Sequence, residues 1–229
     1  GRASAVIIGG GVIGASVAYH LAKQGWQDVV LLERKQYSCG TTWHAAGLIG
    51  TMRANETHAK LCEYSMSLLQ ELEQETGQAT GFRQVGSVTV AHSADRFEEL
   101  KRVAAMNNAF GITRVEIVSP DEAKKLYPLL KTDDLLGAAW VAQDGTASPV
   151  DLTMAFIKGA RGRGVQCLEG IEVTDILSQA GKVSGVMTDQ GEIQVDFVVN
   201  CGGLWGRKIG KMAGVNVPLH ACEHYYAVT

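Results

Sequence analysis

Three glycines with a fixed spacing near the N-terminus constrain the fold of this chain more than any other feature. Gly9, Gly11 and Gly14 form G-x-G-x-x-G directly after a short apolar run at residues 5–8, and apolar residues recur at helical spacing over residues 12–24. In such a turn the first glycine permits a tight bend, the second lets a phosphate approach the backbone, and the third lets helix and strand pack closely. The order of strand, glycine turn and helix predicts a βαβ unit whose helix N-terminus binds a diphosphate.

An acidic residue stands at the end of the second apolar run. Glu33 closes residues 28–33, about 20 residues after the glycine turn, where a carboxylate accepts hydrogen bonds from the hydroxyls of a ribose. A glycine-rich turn in an ordinary α/β protein is the alternative interpretation. Because strand, turn, helix, strand and acid all occur in the required order, the sequence predicts that an adenine dinucleotide binds here. NAD and FAD both use this turn, so the choice between them depends on the following segment.

Composition narrows the class of partner. The 21 basic and 24 acidic residues give a net charge of −3, which favours neither a nucleic acid nor an anionic membrane as partner. The five cysteines form no C-x-x-C pair, so we expect neither a disulfide framework nor a metal site. No apolar run approaches the roughly 18 residues that span a bilayer, and the first strand leaves no room for a signal peptide, so we expect any targeting segment to have been removed. A small-molecule ligand is the favoured partner.

The order of predicted elements changes along the chain. Residues 1–80 read as strand, helix and strand followed by a long helix, whereas residues 81–146 read as an α+β mixture. Residues 147–217 return to a helix followed by a run of strands with glycine-rich turns. We therefore expect an α/β fold in which a Rossmann-like domain, 1–80 and 147–217, is interrupted by a second domain at 81–146. Residues 218–229 are expected to begin a strand that returns to the second domain.

The segment after Glu33 is rich in small and hydroxylated residues. Residues 38–50 read SCGTTWHAAGLIG, and with the preceding Glu33-Arg34 pair the run TTWHAAGL resembles the dimethylglycine and sarcosine dehydrogenases of the D-amino-acid-oxidase-like flavoproteins. The resemblance extends over essentially the whole chain, through the segments ELEQETGQATGF, GSVTVA, LYPLL, QDGT, VVNCGGLW and VPLHACEHYYAVT. It implies that the dinucleotide is FAD. It also implies a Rossmann-like FAD-binding domain interleaved with an α+β substrate-binding domain, which is incomplete in these residues.

The resemblance implies a covalent role for one histidine. In the family the histidine of the Trp-His motif is attached to FAD, which implies a bond between His44 and the flavin 8α-methyl carbon. A neutral imidazole nitrogen is nucleophilic, and the bond is expected to raise the reduction potential of the flavin. Without the resemblance, a packed loop histidine is the favoured interpretation of His44. The residues expected to bind the cofactor are Gly9, Gly11, Gly14, Glu33, Arg34, Thr41, Thr42, His44, Gly47, Gly202 and Gly203.

The second half of the chain contains two further candidate features. The run FVVNCGGLW is an apolar strand that ends in Gly202 and Gly203, and in the family this turn lies against the cofactor. A plain strand-ending turn is the alternative. His220 and His224 have the spacing of a metal pair on a helix, but the YYAVT that follows favours a strand and we predict no metal site. The resemblance makes His224 a candidate acid or base near the substrate amine, and two hydrogen-bonded sheet histidines are the alternative.

The resemblance implies an enzyme that catalyses FAD-dependent oxidative demethylation of an N-methylated glycine, of the dimethylglycine or sarcosine type. Hydride would pass from the N-methyl carbon to the flavin, and the electron acceptor stays open. The alternative is a non-catalytic protein similar to the regulatory subunit of pyruvate dehydrogenase phosphatase, which by the resemblance departs from the Trp-His motif that is intact here as Trp43-His44. The expected location is the mitochondrial matrix in a eukaryote and the cytoplasm in a bacterium. The 229 residues are expected to be a fragment that binds FAD poorly alone.

Overall fold

The computed structural model describes residues 1–227, which form two compact units. The first unit comprises Gly1–Ala46, Glu75–Ala79 and Pro149–Thr229, and the second comprises Gly47–Gln74 and Thr80–Ser148. The first unit is therefore built from chain segments on both sides of the second.

The helices and strands are numbered in chain order. They are β1 (Arg2–Ile8), α1 (Val12–Lys23), β2 (Val29–Glu33), β3 (Leu48–Ile49), α2 (Glu56–Thr76), β4 (Ser87–Ala91), α3 (Ala94–Phe110), β5 (Glu116–Val118), α4 (Pro120–Leu126), β6 (Gly137–Val141), β7 (Gly145–Thr146), α5 (Pro149–Arg161), β8 (Gln166–Glu169), β9 (Val173–Gln179), β10 (Lys182–Thr188), β11 (Gly191–Asn200) and α6 (Gly206–Met212). Two short 3-10 helices lie at Thr42–His44 and Gly203–Trp205.

The first unit is built on a six-stranded sheet with the order β8-β2-β1-β11-β10-β9. Strands β8, β2, β1 and β11 are parallel, while β10 and β9 run antiparallel to their neighbours. Ile8 at the end of β1 is in register with Leu32 of β2 and with Asn200 of β11. Ligands of open parallel sheets bind outside the carboxyl ends of the strands, so this edge is where a site is expected. The expected α/β fold class is confirmed.

Alternating residues of the central strands form the core on one face of this sheet. Val6 and Ile8 of β1 and Val30 and Leu32 of β2 are buried and belong to one hydrophobic cluster, as the two-residue period of a strand requires. Ile209 of α6 packs into the same cluster. This helix therefore covers the sheet beside the carboxyl ends of the parallel strands.

Helices α1 and α5 pack closely because a glycine lies at their contact. The ring of Tyr19 is fully buried, with its centroid 5.5 Å from that of Phe156 in α5. A Cβ added to Gly159 would lie 2.8 Å from Tyr19 Cδ2, closer than two carbon atoms approach without a shift. Gly159 is thus the residue that leaves room for the Tyr19 ring against α5.

The second unit contains a three-stranded antiparallel sheet with the order β4-β6-β5. Its core includes Leu100 of α3 together with Ala139 and Val141 of β6. The carboxylate of Asp144 is buried and accepts hydrogen bonds from the Thr51 backbone N–H at 2.8 Å and from the Ser87 hydroxyl at 2.6 Å. These bonds, with the pairing of β3 and β7, explain why residues 47–74 group with this unit rather than with the first.

Two elements differ from the sequence predictions. The strand expected at 218–229 is wrong for its described part, because residues 215–227 contain neither helix nor strand and no described strand pairs with them; residues 228–229 lie outside the described residues. Helix α6 was not predicted, since its two glycines are poor helix formers and tertiary packing of Ile209 supplies the stabilisation. Within residues 1–227, no helix combines the length and apolar character that crossing a membrane requires.

We predict that replacing Gly159 by alanine destabilises the fold whereas replacing Gly162 by alanine does not. The new methyl group at 159 collides with the buried Tyr19 ring, which should lower the free energy of unfolding by about 1–3 kcal/mol. Gly162 is exposed, and a Cβ there meets only backbone oxygens, the nearer at 3.4 Å, so its change should stay within about 0.5 kcal/mol. Denaturant titration of both variants tests this, and equal losses would contradict the packing described for α1 and α5.

Candidate dinucleotide site

The three motif glycines are required by contacts within the turn. A Cβ on Gly9 would lie 2.4 Å from the Cys201 carbonyl oxygen, and one on Gly14 would lie 1.9 Å from the Gly9 carbonyl oxygen. Gly9 also has a φ of 115°, a conformation that favours glycine. A Cβ on Gly11 would lie 2.9 Å from the Thr42 hydroxyl. The first and third glycines thus permit backbone packing, while the second keeps space open at the start of α1.

The N-terminus of α1 faces this space. Its N-cap is Gly11, which provides no side chain to satisfy the free backbone N–H groups. The Val12 N–H donates to the Thr42 hydroxyl oxygen at 3.1 Å, so a hydroxyl group lies at the positive end of the helix dipole. A hydroxyl that accepts from this amide still has a proton to donate. Helix N-terminus and Thr42 together can therefore bind an anionic diphosphate.

The carboxylate of Glu33 is fixed by backbone amides at the end of β2. Its Oε2 accepts from the Gly10 N–H at 2.8 Å and its Oε1 accepts from the Lys35 N–H at 2.9 Å. Glu33 lines the cleft that the glycine turn opens. Oε1 also lies 3.9 Å from the Cys39 thiol, a weak donor. Oε2 has no second donor within residues 1–227 and can accept another hydrogen bond, so the group can bind a ribose hydroxyl.

Sequence reasoning missed a group of residues behind the turn. A Cβ on Gly10 would lie 2.7 Å from Tyr37 Cδ1 and 2.8 Å from Glu33 Cβ, so a fourth glycine, in addition to the three of the motif, is needed between these side chains. The Tyr37 N–H donates to Glu169 Oε1 at 2.6 Å, and Arg161 Nη2 donates to the Tyr37 hydroxyl at 3.2 Å. Burial raises the pKa of Tyr37 to about 12, which keeps the phenol neutral. The only sequence signal was the uninterrupted run of three glycines.

The opposite wall of the cleft follows β11. Cys201, Gly202 and Gly203 line it, and a Cβ on Gly202 would lie 2.2 Å from Ile209 Cδ1 of α6. Burial raises the pKa of the Cys201 thiol, so no thiolate charge opposes an anionic ligand here. The wall ends at Trp205, which was also missed by sequence reasoning.

An exposed cation lies over the Trp205 ring. The Arg34 guanidinium carbon is 4.1 Å from the ring centroid, within the range of a cation–π contact. Both side chains line the cleft, as does Lys208 of α6. The cleft therefore combines a glycine turn and a helix N-terminus with cationic and aromatic groups at its rim.

The predicted cofactor residues divide into those that line the cleft and those that do not. The lining includes Gly9, Gly11, Glu33, Arg34, Thr41, Thr42, Gly202 and Gly203. Gly14 is buried below the turn, His44 is exposed at the end of the first 3-10 helix, and Gly47 belongs to the second unit. His224 is exposed and lies outside the cleft lining. Residues 1–227 contain no cluster of three or more side chains that could hold a metal ion.

The sequence matches one protein family over nearly its whole length. Residues 4–229 match the model of the DAO family, described as FAD dependent oxidoreductase. The chain belongs to the DAO family of FAD-dependent oxidoreductases. The resemblance found in the sequence is thereby confirmed at the level of the family. The question for the cleft is therefore whether its residues fit FAD.

Several relatives in this family match the whole chain. The chain is 42% identical over 230 residues to the mitochondrial pyruvate dehydrogenase phosphatase regulatory subunit of Mus musculus, covering 100% of this chain and 26% of the relative. It is 42% identical to the mitochondrial sarcosine dehydrogenase of the same species, covering 99% and 25%, and 40% identical to the mitochondrial dimethylglycine dehydrogenase of Rattus norvegicus, covering 100% and 26%. The chain thus spans about a quarter of the length of these curated relatives.

A solved structure supports the fold. The chain is similar to L-proline dehydrogenase from P. horikoshii, with a TM-score of 0.88 and 30% identity over 93% of this chain and 56% of that chain. The residues present also fit FAD chemically. The glycine turn leaves a space that Cβ atoms would fill, and the N-terminus of α1 has no side-chain cap, which together suit a diphosphate. The Glu33 carboxylate, held through both of its oxygens, suits a ribose.

We predict that Glu33→Gln weakens FAD binding whereas Glu192→Gln does not. The amide of glutamine has no charge, and its NH2 group would face the N–H of Gly10 or Lys35, where two donors cannot pair. A hydrogen bond to a charged group contributes about 1.5–3 kcal/mol. The Kd for FAD should therefore rise about tenfold or more. Glu192 has the same charge, is exposed and forms no side-chain hydrogen bond within residues 1–227.

Titration of apoprotein with FAD, followed by quenching of flavin fluorescence, measures this effect. A His44→Ala background keeps the binding reversible in both variants. Equal Kd values for the two variants would contradict the role assigned to the Glu33 carboxylate.

Proposed function

We propose that this chain is part of an FAD-dependent amine oxidoreductase that oxidatively demethylates an N-methylated glycine, of the dimethylglycine or sarcosine type. The observation that carries the proposal is the cleft itself, in which Glu33 and the N-terminus of α1 flank an open glycine turn. Similarity to sarcosine and dimethylglycine dehydrogenases over the full chain supports this substrate class. The substrate is then a small amine with a carboxylate.

The chain's own residues would bind and orient the cofactor. The N-terminus of α1 and the Thr42 hydroxyl would hold the diphosphate, and the Glu33 carboxylate would accept a hydrogen bond from the ribose. Arg34, stacked on Trp205, would stand at the rim of the cleft. FAD, when bound, supplies the acceptor for hydride from the N-methyl carbon. Holding this cofactor in one orientation is the contribution of the first unit.

We infer that FAD is attached covalently through His44. The Trp43-His44 motif is intact, and both side chains are exposed in the first 3-10 helix. This helix follows directly on Thr41 of the cleft wall. The imidazole is thus presented by the same segment that contacts the cofactor cleft.

We propose further roles for His224 and for the two units. His224 is exposed. As a base near the substrate it would take a proton from the amine and keep it neutral before hydride leaves, and as an acid it would return that proton afterwards. The first unit is the FAD-binding domain, and the second is the first part of the substrate-binding domain. The mitochondrial relatives support a matrix location in a eukaryote, and a cytoplasmic location is proposed for a bacterial protein.

A non-catalytic function is the second candidate. It is favoured by the 42% identity to the pyruvate dehydrogenase phosphatase regulatory subunit of Mus musculus. Such a protein needs the fold but neither a covalent flavin nor amine turnover. The two functions therefore differ in what the Trp43-His44 segment does, and an experiment on His44 separates them.

We predict that the full-length protein keeps its flavin after acid precipitation and that His44→Ala releases it. The linked flavin should be recovered on a peptide that contains His44. Because the bond is expected to raise the flavin potential, kcat with sarcosine or dimethylglycine and a dye acceptor should fall about tenfold in the variant, which corresponds to about 1.4 kcal/mol.

The matched control is His92→Ala, since His92 is exposed, does not line the cleft, and has its Nδ1 3.5 Å from an Asp134 carboxylate oxygen. This variant should keep both the acid-stable flavin and the turnover. A wild-type protein that releases its flavin in acid and oxidises no N-methyl amine would favour the regulatory function instead.

A further inference from the structure

The His44 ring is held on two sides by aromatic side chains. The Trp43 and His44 ring centroids are 3.7 Å apart, with the ring planes 35° from parallel. On another side, His44 Nδ1 and the Tyr226 hydroxyl oxygen are 2.8 Å apart, a hydrogen-bond distance, with the rings nearly perpendicular at 75°. Both partners belong to the first unit. The sequence offered no sign that Tyr226 meets a residue 182 positions earlier.

The backbone that carries this ring is also fixed. The Trp43 N–H donates to the Ser38 carbonyl at 3.3 Å, and the His44 N–H donates to the Thr41 carbonyl at 3.2 Å. With the backbone held and one face covered by the indole, the hydrogen bond to Tyr226 determines how the ring is turned. Within residues 1–227, no protein group hydrogen-bonds to His44 Nε2.

The hydrogen bond at Nδ1 decides which ring nitrogen has the lone pair. A neutral imidazole carries one N–H and one lone pair. If Nδ1–H donates to the Tyr226 oxygen, the lone pair is on Nε2, which has no protein partner among residues 1–227. If the hydroxyl donates to Nδ1 instead, Nε2 carries the proton and cannot attack. A partner at one ring nitrogen that fixes the tautomer also makes the other nitrogen more basic.

We propose that Tyr226 is a positioning residue for flavin attachment: its hydroxyl oxygen accepts the Nδ1 proton of His44, so that Nε2 is the nucleophile. The inference rests on the proposed covalent link between His44 and FAD. It assigns a role to the side chain two residues beyond His224, in a segment that forms no strand. Tyr226 touches His44 and acts on the flavin only through it.

The attachment step balances in atoms and electrons. A C–H bond of the flavin 8α-methyl group and the Nδ1–H bond of His44 break, and a bond forms between Nε2 and the methyl carbon. The C–H electron pair stays on the flavin ring, which is reduced by two electrons, while the C–H proton is released to water. Dioxygen then reoxidises the ring and takes up two protons to form hydrogen peroxide, so that the C–H proton and the Nδ1 proton are both accounted for. The Nδ1 proton leaves through the Tyr226 hydroxyl, whose side chain is 60% exposed to water.

The neighbouring Tyr225 provides a matched control. Its hydroxyl donates to Glu223 Oε2 at 2.6 Å and its side chain is 83% exposed. It therefore has the same chemistry and nearly the same position in the chain, but within residues 1–227 it forms no hydrogen bond or ring contact with His44. Removing either hydroxyl with phenylalanine leaves the ring in place.

The first experiment measures the rate at which full-length apoprotein forms acid-stable flavin after FAD is added. Tyr226→Phe should slow attachment about tenfold, which is about the smallest loss typical when the hydrogen-bond partner of a metal-ligating histidine is removed. Tyr225→Phe should attach FAD at the wild-type rate. Rapid, reversible FAD binding should be the same in both variants, which separates positioning from a structural defect. Attachment by Tyr226→Phe at the wild-type rate, or equal slowing in both variants, would overturn the proposal.

The second experiment observes the tautomer directly in apoprotein with ¹⁵N-labelled histidine. The His44 resonances should show a protonated Nδ1 and a bare Nε2, and Tyr226→Phe should shift the population toward Nε2–H. A wild-type ring with Nε2–H would overturn the proposal.

The two experiments separate this inference from the function on which it rests. If the wild-type protein forms no acid-stable flavin, the proposed covalent link is wrong, and with it the role of Tyr226 in attachment. If the wild-type protein attaches FAD and Tyr226→Phe attaches it at the same rate, only the role of Tyr226 is wrong.

Discussion

The hydrogen bond between the Gly10 N–H and the Glu33 carboxylate joins the ends of the two strands on which the site depends. β1 and β2 pair in parallel so that Ile8 lies beside Leu32, and the next residues of each strand turn toward one another. The bond, 2.8 Å long, holds the carboxylate beside the glycine turn without using all of its lone pairs. The carboxylate that holds the turn in place can therefore also accept a hydrogen bond from a ribose. One side chain thus serves both the structure of the cleft and the binding of its ligand.

The space behind this bond explains why three consecutive glycines occur here. Gly10 lies between Glu33 and Tyr37, and Tyr37 is held in turn by Arg161 and Glu169. A side chain at position 10 would push the acid and the tyrosine apart. The familiar motif names only the outer two glycines of this run, but in this protein the middle one governs the position of the acid.

Local features were predictable from the sequence, and long-range ones were not. The βαβ unit could be predicted because the glycine spacing and Glu33 are set by one turn and one helix. Glu169 could not, because it reaches Tyr37 only through the parallel pairing of β2 with β8, across 132 positions. Residues 218–227 form no strand for a related reason, since β-rich residues favour a strand only where a neighbour is available for pairing. The contact between Arg34 and Trp205 likewise arises from the fold.

The most direct test of this account is an experimental structure of the full-length protein with FAD bound. The account predicts that the diphosphate lies at the N-terminus of α1 and that Glu33 Oε1 or Oε2 is within about 3.0 Å of a ribose hydroxyl oxygen. A structure in which Glu33 keeps its bond to Gly10 while the ribose lies elsewhere would contradict it, as would a diphosphate bound away from the glycine turn.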